Sequence, residues 1–172
     1  MPKVKLSKSE VSQTFDLSEI YGRKPTRDEA FNFIESAKER IIERSQSNED
    51  VNGNSFTIYS KDYAEFKGVG RSDVDMTLFG DMLEAIDGQF AGPNVTLEIT
   101  GAEATKAYAH MTGYKGHPTI KNGPKREFFG LTDSEAEAIA LSVERTVERV
   151  APKEDNIDEI LRNIGLEFDD QN

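Results

Sequence analysis

Cysteine is absent, and its absence excludes disulfides, thiolate zinc sites, iron–sulfur clusters and cysteine nucleophiles together. Tryptophan is also missing, and imidazole chemistry rests on two residues, His110 and His117. They stand seven positions apart across Gly113, whereas a helix-borne metal pair has its histidines three or four apart with a carboxylate nearby. His110 reads as a packed or half-exposed polar residue and His117, before Pro118, as a loop hydrogen-bonder. No apolar run approaches the roughly 18 residues of a membrane span, so no membrane association is expected. The positive start Met1–Lys8 is followed by no hydrophobic stretch, and it is not expected to serve as a secretory signal. Gly68-Val69-Gly70-Arg71-Ser72 lacks the third glycine of a dinucleotide turn and the Gly-Lys-Ser/Thr of a phosphate loop. No Asp-rich run fits the calcium-loop template. No catalytic residue, no metal and no cofactor is expected.

Acidic residues are plentiful: 32 Asp and Glu stand against 21 Lys and Arg, a net charge of -11 in a chain of 172 residues. That sign opposes unaided binding to nucleic acid or to an anionic membrane. The charge is uneven. Residues 1–24 carry five basic and three acidic side chains, whereas residues 131–172 carry four basic and twelve acidic ones. The length suits one domain with extensions.

Periodicity supplies the elements. Residues 1–24 cluster only Phe15, Leu17, Ile20 and Tyr21 among polar residues and read as an N-terminal arm, either with residues 16–21 as an apolar hook for a neighbouring surface or as a loosely ordered terminus. Thr26 and Glu29 have capping-box spacing, and Ala30, Ile34, Ala37 and Ile41 continue a helical stripe to about Arg44. Residues 45–54 form a polar loop; 56–66 read as irregular, with at most a short helical turn. Residues 77–86 suit a short helix ended at Asp87-Gly88. Val95, Leu97 and Ile99 alternate with polar residues as a strand, and Gly92-Pro93-Asn94 is the turn of a hairpin with residues near Ile86 to Phe90. Ala102 to Met111 is helical and stops at Gly113. Thr132 and Glu135 repeat the capping box before the stripe Ala136, Ile139, Val143, Val147 and Val150. After Pro152, residues 157, 160, 161 and 164 (Ile157, Ile160, Leu161, Ile164) give a short amphipathic C-terminal helix and an acidic tail. The expected fold is α+β: a small, mainly antiparallel sheet around the 89–100 hairpin, packed against the helices at 26–44 and 132–150, in a domain spanning 25–151.

Within this acidic chain, residues 114–126 hold the basic cluster Lys115, Lys121, Lys125 and Arg126, read as an exposed loop. The adjacent Phe128 and Phe129 read either as an aromatic anchor dropped into the core or as an assembly contact. Carboxylates such as Asp73, Asp75 and Asp81 would support a small hydrolase only inside a concave pocket. An acidic interaction module or regulator for a basic partner explains the charge equally well.

The stretch Lys125-Arg126-Glu127-Phe128-Phe129-Gly130-Leu131-Thr132-Asp133-Ser134-Glu135 resembles the arginine-aromatic-hydrophobic-Gly-Leu-Ser/Thr-Asp signature of phage virion-morphogenesis, or tail-completion, proteins. Two upstream segments agree in order. Thr77-Leu78-Phe79-Gly80-Asp81-Met82-Leu83 before a hairpin is similar to the family's leucine-x-Gly-x-leucine segment, and Ala107-Tyr108-Ala109-His110-Met111-Thr112-Gly113 resembles its Tyr-Ala-x-x-His-x-x-Gly stretch. Glu127 stands where that family commonly has proline, and the match covers residues 26–150 only. The resemblance implies a non-catalytic structural protein of the virion head–tail neck, assembled in the host cytoplasm. Its partners would be itself, in a ring of six or twelve copies, and the adjoining connector, tail-tube or terminator proteins, with DNA passing through unbound. Stopper, tail-completion ring and tail terminator all remain compatible. Lys115, Lys121, Lys125 and Arg126 would meet an acidic neighbour, Phe128 and Phe129 would fix the loop, and the C-terminal helix would tether adjacent subunits.

Overall fold

The computed structural model describes residues 3–74, 76, 81–113 and 123–150, with the backbone alone at Val150. Its architecture is α+β, a four-stranded antiparallel sheet in the order β1-β2-β4-β3 with helices on one face. The strands are β1 (Lys5–Leu6), β2 (Glu10–Asp16), β3 (Asp87–Ala91) and β4 (Asn94–Thr100). In chain order the helices are α1 (Leu17–Tyr21), α2 (Arg27–Gln46), α3 (Lys61–Lys67), α4 (Asp81–Glu84), α5 (Gly101–Thr112) and α6 (Asp133–Val150).

Period-two alternation decides the sheet's two faces. Val11, Gln13 and Phe15 of β2 lie opposite Ile99, Leu97 and Val95 of β4, and all six are buried. The other face is polar. Thr14 and Thr96 share a hydroxyl–hydroxyl bond of 2.8 Å, and Gln89 donates to Glu98 at 2.9 Å. The expected 89–100 hairpin is present, with β3 and β4 joined through Gly92-Pro93 and Gly92 at φ +64°. A positive φ at the first central residue is the position where glycine suits a two-residue hairpin.

The expected arm at residues 1–24 is corrected by the fold. Residues 10–16 are an inner strand, paired with β1 on one side and β4 on the other. Gln13 at a core position breaks the apolar alternation that would have marked the strand. The apolar hook folds onto its own chain: Asp16 caps α1 by accepting from the Ser18 amide, Leu17 is fully buried, and the Tyr21 hydroxyl donates to the Ala140 carbonyl at 3.1 Å.

Both capping boxes are formed. Glu29 accepts from the Thr26 amide at 2.7 Å and the Thr26 hydroxyl accepts from the Glu29 amide at 3.2 Å; Thr132 and Glu135 do the same at 3.0 and 3.2 Å. The helix expected at 102–111 is α5, ended at Gly113, and it packs on β2 and β4. α2 lies on β3 and β4, whereas α6 packs on α2 and α1 rather than chiefly on the sheet as expected. The sheet is narrow, and α2 with α5 occupies its apolar face; the small residues Ala136 and Ala140 let α6 form a further layer. The irregular reading of 56–66 is corrected to a two-turn helix, α3, with Ser60 as cap and Gly68 in the left-handed conformation at its end. In 77–86 the described part is α4; residues 77–80 and the C-terminal helix at 157–164 lie outside the described residues.

Candidate functional site

The segment 123–131 holds most of the 125–135 motif, and it is anchored from α2, β2, α5 and the loop after α2. Arg44, on the buried stripe of α2, donates to the carbonyls of Phe128 and Gly130 at 3.0 and 2.6 Å, and its other terminal nitrogen reaches Glu135 at 2.9 Å. Gln13 clamps Leu131 reciprocally, donating to its carbonyl at 3.0 Å and accepting from its amide at 2.8 Å. The Arg126 amide donates to the His110 carbonyl at 2.7 Å, and the Val51 amide to the Glu127 carbonyl at 2.8 Å. These bonds satisfy backbone groups of a non-regular segment that would otherwise be buried unpaired.

Phe128 and Phe129 are both fully buried, their rings edge to face at 6.4 Å. Of the two readings offered for the pair, the core anchor is the one observed. Gly130 has φ +106°, a conformation other residues rarely adopt, and a Cβ there would press on Gln13 and Val4 at 3.0 Å.

Arg126 corrects the exposed-loop expectation. It is buried, 7% exposed, with its guanidinium over the Tyr59 ring at 5.4 Å and donating to the Thr57 carbonyl at 3.1 Å. Burial lowers its affinity for a proton. It therefore organises the 56–63 segment instead of facing an acidic neighbour. Lys125 is exposed and reaches Glu127 at 2.8 Å. Lys115 and Lys121, like Ile157, Ile160, Leu161 and Ile164, lie outside the described residues. Burial, with the Arg126 charge beside it, pushes the His110 imidazole down to about 4, so it is neutral near pH 7.

Two buried polar residues in this framework went unrecognised from sequence, Arg44 and Gln13, and Glu29 was read as a cap residue without its burial. Arg44 continues the 30-34-37-41 stripe at the next helical step, and that position was its available signal. Glu29 receives Arg23 at 2.6 Å, which with the cap holds its carboxyl at about 2.

The open groove between α2 and α6, about 420 Å³, is lined by Ser36, Arg40, Ser134, Glu135, Ala138, Ile139 and Ser142. Asp73 and Asp81 are not among these residues, and Asp75 is outside the described ones. The groove's carboxylate, Glu135, is engaged by Arg40 and Arg44 and stays below its usual range through its cap bond and these two cations, against its own burial. Gly68 and Gly70 serve local geometry, the first as the end of α3, the second by donating to Asp73 at 3.0 Å. Among the described residues no three His, Asp or Glu side chains converge as a metal site, and no helix is long and apolar enough to cross a membrane. No family model, curated protein or solved structure matches this chain.

Proposed function

We propose that this chain is a structural protein of a tailed-phage virion neck, forming a ring that completes the tail and joins it to the head connector while DNA passes through. The observation that carries the reading is the order of three segments, 77–83, 107–113 and 125–135, resembling virion-morphogenesis signatures along one acidic α+β chain. Two physical features support it. A net charge of -11 keeps a polyanion from adhering to the wall it passes. The residues of the 125–135 motif also have definite structural tasks: Arg126 and the two phenylalanines are buried anchors, Gly130 takes the positive φ, and Thr132 caps α6.

Quantitative mass spectrometry of purified virions, normalised to the major capsid protein, tests the reading. We expect about six or twelve copies per particle, as closed rings require. Absence from virions would overturn the neck assignment and favour the acidic interaction module.

A further inference from the structure

Taking the self-assembly of the neck reading as given, the two outer strands of the sheet, neither of which has a second partner strand among the described residues, are where copies would join. β1 and β3 are the terminal strands of the sheet, and both are exposed along nearly their whole length. Each carries one large apolar side chain in water, Leu6 at 38% and Phe90 at 40% exposure. The registers Leu6↔Val11 and Phe90↔Val95 put both on the helix-covered face, while Lys5, Asp87 and Gln89 share the polar face. The edges thus have matching parity.

Their charges are opposite. The β1 edge presents Lys3, Lys5 and Lys8, of which Lys5 already reaches Glu10 at 2.6 Å. The β3 edge and the short helix leading into it expose Asp81, Glu84 and Asp87. Strand direction alternates across all four strands, so a neighbour's β1 laid beside β3 continues the antiparallel pattern without a break. That arrangement also brings the end of β1, with Lys8, to the start of β3, where Asp87 lies. A two-fold pairing of β1 with β1 sets lysines together, and like charges facing across strands destabilise it, whereas the head-to-tail pairing sets the lysines of one edge against the carboxylates of the other.

We infer that copies of this chain associate head to tail, β1 of one against β3 of the next, in a contact that joins their sheets. Such a heterologous contact closes into a ring when its rotation allows, and it covers two edges that would otherwise be open to non-specific strand pairing.

Two exposed-edge variants test this by native mass spectrometry and light scattering across the micromolar range, with far-UV circular dichroism confirming that each is folded. One carries Leu6→Glu and Lys8→Glu; the other carries Gln89→Glu and Phe90→Glu. The wild-type chain is expected to form oligomers and each variant alone to be a monomer. Their equimolar mixture is expected to stop at a 1:1 dimer, because a single compatible pair of edges remains. A dimer of the first variant alone would show two-fold β3 pairing and overturn the inference. Oligomers of both variants like those of the wild type would place the contact elsewhere and overturn it too, while leaving the ring reading intact. A wild-type chain that stays monomeric also overturns it; the neck assignment is then judged separately by virion copy number.

Discussion

At Arg44 a positive charge sits in the core with its side chain 1% exposed, and both of its terminal nitrogens meet acceptors held in place, while Nε has no partner among the described residues. Two of those acceptors are backbone carbonyls of the 123–131 segment, and the third is Glu135, which also caps α6. Arg44→Ala is expected to destabilise the fold by about 3 kcal/mol, since it strands two buried carbonyls while Glu135 keeps Arg40. Urea unfolding monitored by far-UV circular dichroism measures this; a loss under about 1 kcal/mol would mean that water satisfies those carbonyls. From sequence, Phe128 and Phe129 were legible as an aromatic pair with two possible tasks, core anchor or assembly contact, and their full burial decided for the anchor. Arg126 was not legible, because an arginine among lysines in a Gly/Pro-rich stretch looks the same whether it points outward or lies on a tyrosine ring 67 residues upstream.

Among the elements, the helices with capping boxes were legible to within a residue or two, since cap, stripe and stop are all local properties of the chain. The hairpin expected at 89–100 was equally plain, its first strand starting two residues earlier at Asp87. β2 was not, because Gln13 occupies an apolar position for the sake of Leu131, a partner 118 residues away. The contact of hairpin and α2 depends on an omission: a Cβ added at Gly88 would lie 2.3 Å from Ile34 Cγ2, whose side chain is 4% exposed. Gly88→Ala is therefore expected to cost about 1–3 kcal/mol through overpacking. Combined with Ile34→Ala, the double variant should be more stable than the sum of the single losses predicts, because the second change removes the obstructing atoms. Strict additivity in thermal or urea unfolding would show that β3 shifts away instead.

For the whole molecule, acid sensitivity follows from two depressed groups. His110 titrates at about 4 in the fold against 6.5 in the free side chain, so the unfolded chain binds the extra proton between those values. Its contribution is complete above pH 6.5 and is lost as pH falls to 4, by about 3 kcal/mol. Glu29, held at about 2 by Arg23 and its cap, adds a second loss below 4.5. Unfolding free energy measured against pH should therefore fall in both windows, and His110→Gln should flatten the upper one while leaving the lower. An unchanged upper slope in that variant would assign the loss to other groups. The sequence by itself determined the absence of thiol chemistry, the acidic balance, the capped helices, the hairpin and the α+β class, because each depends on composition or on residues within a few positions of one another. Only the tertiary structure decided that residues 10–16 form an inner strand, that Arg44 and Gln13 hold the 123–131 segment, that Arg126 is buried, and that the two outer strands, with opposite charges, have no further partner strand among the described residues. Those outcomes depend on hydrogen bonds and packing between residues far apart in the chain, and no local pattern encodes which distant partner will satisfy a buried polar group.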